Sequence, residues 1–249
     1  SFALHPMLAT LQSMFDTERR LAIVSNIGPL VAPTTKAQYN QNSHPRPPRL
    51  FSHNDQQSIW QTMMPEGATL GWGGRVADAV AGSNAAVFTA ISAAGNAVWL
   101  SGQNVSQYQV SGAGAVRLGG DTVYTSPKVA TTLAAIAGDG RSSHVFEADV
   151  GAVATRSMLA EQTLRGALTQ PSDAGFSAFG TPASGAYNPS TDPKLQYLNP
   201  LSGQNEFSAL AQQLQVVART IQAGQAGKLG VKRQVFFVSI GGFDSHDNE

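Results

Sequence analysis

Gln234-Val235-Phe236-Phe237-Val238-Ser239-Ile240 runs without interruption into Gly241-Gly242-Phe243-Asp244-Ser245-His246. Side chains of a strand alternate between its two faces, and here Val235 to Val238 leave neither face polar. A strand apolar on both faces belongs to a mostly parallel sheet covered by helices on each side. The stretch therefore predicts a central strand of an α/β fold, flanked by parallel neighbours. Gly241 and Gly242 predict a sharp turn at its C-terminal end, the edge at which open α/β sheets bind ligands.

Upstream of this strand, residues 205–222 place Phe207, Leu210, Ala211, Leu214, Val217, Ala218 and Ile221 on one helical face. Residues 171–204 hold five Pro and four Gly, which predicts an irregular excursion packed loosely on the surface. Residues 127–138 and 145–168 read as helices. Residues 85–118 read as a small β insertion, with a hairpin formed by Val87–Ile91 and Ala97–Leu100 around Ala94-Gly95-Asn96.

Toward the start of the chain, Leu4, Met7, Leu8, Leu11, Met14 and Phe15 give residues 4–18 a helical stripe. Leu21-Ala22-Ile23-Val24-Ser25 follows as a short apolar run, expected to be a strand beside Gln234–Ile240. Residues 28–50 contain five Pro and little periodicity, a long loop that delivers the chain to Phe51-Ser52-His53-Asn54-Asp55. Ile59, Trp60 and Met63 then mark a helix. Gly71-Trp72-Gly73-Gly74-Arg75 is too rich in glycine for a helix interior and predicts a turn entering a helix at Gly74. The whole reads as one incomplete α/β domain over residues 1–249, cut at both ends.

The 249 residues carry 16 Lys plus Arg and 16 Asp plus Glu, so the formal charge is zero. Nucleic acids and anionic membranes select for a basic excess, which is absent here. With no cysteine, a disulfide scaffold, a thiolate metal site and a cysteine nucleophile are all excluded. No run of 18 apolar residues occurs, so no transmembrane segment is expected. The lack of cysteine is compatible with an exported protein.

Three places could carry chemistry. Asp244 and His246 lie past the end of the apolar strand, where a carboxylate and an imidazole two residues apart are able to bind a metal; a strand-ending turn with a capping Asp is the other reading. Ser52 precedes a helix with Asp55 three residues on, the pattern of an N-cap. The same geometry puts a hydroxyl beside the unpaired N–H groups of a helix start, where an anion is held and a serine nucleophile would sit. His53 reads either as a metal ligand or as an exposed first-turn histidine. Arg46 and Arg49 flank this segment and are able to neutralise an anion, and His44 is expected to be solvated.

Taken in order, Leu4-His5-Pro6, Arg19-Arg20-Leu21-Ala22-Ile23-Val24, Phe51-Ser52-His53 with Trp60, Gly71-Trp72-Gly73-Gly74-Arg75 and Gly241-Gly242-Phe243-Asp244-Ser245-His246 resemble a bacterial family. That family is catalogued as domain of unknown function 1501, within the alkaline phosphatase and sulfatase superfamily. The match spans most of the chain on five short motifs. It implies an alkaline phosphatase-like fold with a mostly parallel central sheet, and export by the twin-arginine route to the periplasm or medium. It further implies Ser52 as the helix-start nucleophile and Asp244 with His246 as a ligand pair for a divalent metal, whether zinc, calcium or magnesium, to which His53, from its own place in the chain, is the candidate third ligand. The substrate class would be a small anionic ester, of phosphate or sulfate. The family's first strand would precede Ser1, and its later Asp- and His-bearing segments would follow Glu249. The alternative is a non-catalytic exported binding or structural module that keeps the fold.

Overall fold

The computed structural model describes residues 4, 8–25, 27–41, 43–64, 67–81, 87–116, 123–138 and 143–243. They fall into two compact units, residues 1–56 and 57–249. Among the described residues the fold is mixed α/β, with seven α-helices and a four-stranded, mostly parallel sheet.

The first unit contains α1 (Ala9–Asp16), α2 (Lys36–Tyr39) and the start of α3 (His53–Thr62). α1 forms where the stripe of residues 4–18 predicts a helix, although it buries none of its residues. α2 interrupts the Pro-rich loop through a capping box: Thr35 accepts from the Gln38 N–H, while the Gln38 side chain accepts from the Thr35 N–H. Leu21 to Ser25 corrects the reading of a buried strand. It is irregular, with Ile23 51% and Val24 71% exposed. An apolar run becomes a strand only when a neighbour accepts its backbone hydrogen bonds, and this one has no ladder.

The second unit is a three-layer α/β/α arrangement. Its sheet contains β1 (Ala90–Ser92), β2 (Tyr108–Ser111), β3 (Gly114–Ala115) and β6 (Val235–Phe237) in the order β3-β2-β1-β6. β1 is parallel to both β2 and β6, and β2 is antiparallel to β3. Outside it, β4 (Gln196–Leu198) and β5 (Asn205–Phe207) form a separate antiparallel pair. One face of the main sheet packs against α6 (Val145–Ala167) and α7 (Ala209–Gln225), burying Ile91, Val110, Leu164, Leu168 and Val216 with Phe236 alongside. The other face packs Ala90, Val235 and Phe237 against Ala77 of α4 (Trp72–Val80) and against Trp99, Leu100 and Val105.

This corrects three expectations. β6 lies at the edge of the sheet among the described strands, and β1 is the strand with neighbours on both sides. Both faces of β6 are covered, as its apolar run requires, but facial burial says nothing about the lateral edge. All three residues of β1, Ala90, Ile91 and Ser92, are fully buried. The segment 87–116 likewise supplies β1, β2 and β3 to the main sheet and is not a separate insertion. The expected hairpin does not form, because Val98–Leu100 is a 3-10 turn and β1 pairs in parallel with β2.

Helices α5 (Pro127–Ala137) and α6 occupy the two stretches predicted for them. α5 starts as its sequence dictates, with Ser126 Oγ accepting from the Val129 N–H and Pro127 in the first turn. α7 is also present but turned on its axis. Gln215, Arg219 and Thr220 are buried, while Leu214 is 48% exposed and Ile221 39% exposed. The cause is a set of polar partners from residues 169–192, described below.

Candidate functional site

Ser52 is the N-cap of α3. Its N–H donates to Arg49 O at 3.0 Å, its carbonyl accepts from the Gln56 N–H at 2.9 Å, and its Oγ accepts from the Asp55 N–H at 3.4 Å. The hydroxyl proton is directed to Asp55 Oδ2, 2.7 Å away. Asp55 is only 2% exposed, and Arg49 Nη1 lies 3.4 Å from its other oxygen. The sequence pattern of a short-armed capping box is therefore realised, with one change: Asp55 takes the Ser52 side chain rather than the backbone N–H.

The backbone before this cap is unusual. Arg49 and Phe51 have φ values of 51° and 75°, a left-handed conformation that is costly for residues other than glycine. Phe51 stacks edge-on against Tyr39 at 6.2 Å, and the Arg46 guanidinium lies 4.9 Å over the same Tyr39 ring. Arg46 also donates to Gln41 O at 2.9 Å. Both arginines are thus engaged locally, Arg46 with a carbonyl and a ring and Arg49 with Asp55. His44, expected to be solvated, is partly buried and bonds Thr34 Oγ1 through Nε2 at 2.9 Å.

His53 occupies the first turn of α3 with its side chain exposed. Asp244 and His246 lie outside the described residues, and so does the expected approach of Ser52 to Asp244. Among the described residues, no three His, Asp or Glu side chains gather in a way that would hold a metal ion.

A second polar cluster had no counterpart in the sequence reading. Asp192, itself buried, accepts from the Thr181 N–H (2.7 Å) and hydroxyl (2.9 Å), the Tyr187 hydroxyl (2.7 Å) and the Lys194 N–H (3.0 Å). Gln215 Nε2 donates to the Tyr187 oxygen at 2.8 Å and to Phe179 O at 3.2 Å. Arg219 Nε donates to Thr169 O at 2.9 Å, and its guanidinium lies 5.4 Å over the Phe176 ring. Burial pushes the Tyr187 phenol up to about 12 and the Arg219 guanidinium below its ordinary value.

These bonds correct the expectation of loose packing for residues 171–204. The stretch is irregular, with three short 3-10 turns and the β4–β5 pair in place of a sustained helix. It is nevertheless stitched to α7, with Phe176 and Leu195 fully or nearly buried. The signals available in the sequence were Asn188-Pro189 and Asp192-Pro193, dipeptides whose side chains close turns onto the following N–H groups. Asn188 and Asp192 do so, accepting from the Ser190 and Lys194 N–H groups.

Asp78 on α4 performs a comparable task. Its carboxylate accepts from the N–H groups of Gln103 (2.7 Å), Asn104 (3.0 Å) and Val105 (2.8 Å). Desolvation raises its pKa, but these three N–H groups outweigh that effect and hold it below the usual value. Replacing Asp78 with Ala is expected to accelerate amide exchange at residues 103–105 about tenfold, as charge-assisted bonds are lost. Unchanged protection by hydrogen-exchange mass spectrometry would contradict this.

Compared with family models, characterised proteins and solved structures, the chain matches none. No helix among the described residues is long and apolar enough to cross a membrane.

Proposed function

We propose that this chain is part of an exported, alkaline phosphatase-like protein that hydrolyses small phosphate or sulfate esters with a divalent metal and Ser52 as nucleophile. The observation that carries the reading is the Ser52–Asp55 pair. A hydroxyl at the start of a ten-residue helix has its proton directed to a buried carboxylate at 2.7 Å. Left-handed residues at Arg49 and Phe51 precede it. The mostly parallel sheet, with β6 leading into the Gly241–His246 segment, agrees with the same reading.

In this mechanism the Ser52 oxygen attacks the phosphorus or sulfur as its proton passes to Asp55, the bond to the leaving oxygen breaks and that oxygen leaves as the alcohol with the proton; water then cleaves the ester on Ser52, releasing phosphate or sulfate and restoring the hydroxyl. The N–H groups at the start of α3 and their dipole favour the anionic ester. Asp244, His246 and His53 would hold the ion, and one carboxylate with two imidazoles suits zinc better than magnesium or calcium. When bound, the ion would favour the deprotonated hydroxyl and neutralise ester oxygens. The alternative, a non-catalytic exported module, draws on the fact that Ser52 and Asp55 already satisfy one another as a cap.

Metal content and turnover of p-nitrophenyl phosphate and p-nitrocatechol sulfate, measured on full-length protein, separate the two. The hydrolase reading expects Ser52→Ala to abolish turnover with metal retained, and Asp244→Ala with His246→Ala to remove the metal. Metal content unchanged by the double replacement, or metal-loaded protein without turnover, leaves the non-catalytic module.

A further inference from the structure

The lateral edge of β6 carries three features that belong together. The first is backbone. Val235 N–H donates to Thr89 O at 2.7 Å, and Phe237 O accepts from the Ala93 N–H at 3.0 Å. A parallel ladder uses alternate residues on each side, so Phe236 between them turns its N–H and C=O toward the edge that no described strand covers. Downstream the Gln213 amide takes both backbone groups of Ser239 at 2.9 Å, a residue of the same alternation as Val235 and Phe237, so these bonds leave the groups of Phe236 untouched.

The second feature is a cleft of about 460 Å³ lined by the apolar Ile221, Val231 and Phe236 together with Gly224, Gln225, Lys232 and Gln234. Its floor is apolar. Phe236 and Val231 rest on the sheet's main core, and Ile221 is one of the two large apolar residues, with Leu214, that α7 turns outward when it buries Gln215 and Arg219. The third feature is charge. From Phe207 to Phe243 the chain contains no Asp or Glu, while Lys228, Lys232 and Arg233 are exposed beside the start of β6. None of the three has an ion partner among the described residues.

We propose that the open edge of β6 docks an extended, acidic peptide segment of a partner protein. The segment adds as a strand through the Phe236 N–H and C=O. One of its apolar side chains fills the Ile221–Val231–Phe236 cleft, and its carboxylates meet Lys232 and Arg233. Strand addition draws affinity from main-chain hydrogen bonds and specificity from a pocket for alternate side chains. An edge that carries no proline or bulge is open to such pairing, and the one-sided charge selects an acidic occupant.

Three fluorescein-labelled heptapeptides test this on the 249-residue chain by anisotropy. One reads Glu-Glu-Thr-Val-Thr-Val-Thr, one has Lys in place of both Glu, and one is the acidic sequence N-methylated at alternate residues. The acidic peptide is expected to bind with a Kd of about 10–100 μM and to slow hydrogen exchange at the Phe236 amide. The Lys peptide should bind at least about tenfold more weakly, and the N-methylated peptide should lose binding altogether. Lys232→Glu combined with Arg233→Glu, both at exposed positions, should reverse the preference between the Glu and Lys peptides. Equal binding of the N-methylated peptide, absence of binding by the acidic peptide at 1 mM, or a preference unmoved by the charge reversal would each overturn the proposal. So would a dimer in sedimentation that protects the Phe236 amide without peptide, since a second copy would then occupy the edge.

Discussion

Asp192→Ala is expected to destabilise the folded chain by about 3–5 kcal/mol, because four donors lose one buried acceptor and each unsatisfied donor costs about 1–3 kcal/mol. That is a large part of the roughly 5–15 kcal/mol that holds a typical domain together. The Thr181 and Lys194 N–H groups cannot turn away, since they belong to the backbone of the irregular stretch. Tyr187→Phe should cost much less, because it keeps the edge-on contact with Phe176 at 5.1 Å and removes one hydroxyl. Urea denaturation of the two variants checks the ranking; equal losses would mean that Asp192 is not the hub.

The pH dependence of this cost has a definite sign. Burial raises the pKa of the Asp192 carboxyl, but the Thr181 N–H, the Tyr187 hydroxyl, the Lys194 N–H and the Thr181 hydroxyl together bring it below its ordinary value. A carboxyl whose folded pKa is depressed stabilises the fold fully above the unfolded value of about 3.9 and ceases to do so as pH falls through the folded value. The gap between wild type and Asp192→Ala should therefore stay constant through neutral pH and narrow only below about pH 4. Tyr187 supplies an independent readout at the alkaline end. Its phenol, pushed up to about 12 first by burial and further by Asp192, should ionise at lower pH in Asp192→Ala, followed by phenolate absorbance.

Gly74→Ala is expected to destabilise the protein by about 3 kcal/mol or more, although Ala normally favours a helix over Gly by about 1 kcal/mol. A Cβ at Gly74 would lie 2.2 Å from the Ser101 carbonyl carbon and oxygen and 2.4 Å from the Gly102 nitrogen. At Gly71 it would lie 2.2 Å from Val98 O, and at Gly73 2.5 Å from the Trp99 ring. The obstacles at Gly71 and Gly74 are backbone, so relief requires moving α4 away from the segment 98–102. Gly166→Ala in α6 is the control, because a Cβ there meets nothing within 4 Å, and it should be neutral or stabilising by up to about 1 kcal/mol. Thermal unfolding of both variants decides the matter. A stabilised Gly74→Ala would show that helix propensity, not close approach, governs this site.

The glycine run also shows why local reading misplaced a helix start. Glycine loses the most conformational freedom in a helix, so Gly71-Trp72-Gly73-Gly74 reads locally as a turn. α4 nevertheless begins at Trp72. What favours the glycines is the neighbouring chain at 98–102, a contact more than twenty residues away that no local pattern encodes.

At Ser52 the local pattern was sufficient. Its hydroxyl, the Asp55 carboxylate and the helix beyond them lie within one turn, and short-range capping does not depend on distant parts of the fold. Asp244 and His246 rest on sequence alone, since they fall outside the described residues.

The amino-acid sequence by itself determined the α/β class, the helices at 127–138 and 145–168, the cap at Ser52 and the apolar packing on both faces of the half-buried Val235 to Phe237. Each depends on hydrophobic period, capping chemistry or turn residues, which act over a few positions along the chain. Only the tertiary structure decided that, among the described strands, β6 borders the sheet while β1 lies inside it, and that Leu21 to Ser25 pairs with none of them. It also decided that α7 buries Gln215 and Arg219 in place of Leu214 and Ile221. Side-chain pattern records what covers the faces of a strand, whereas the edge is a matter of backbone groups that every residue carries alike. Similarly, a polar residue on a helix is buried once partners such as Phe179 O, Tyr187 and Thr169 O reach it, and those partners lie about 30 to 50 residues away in a stretch whose path no periodicity describes.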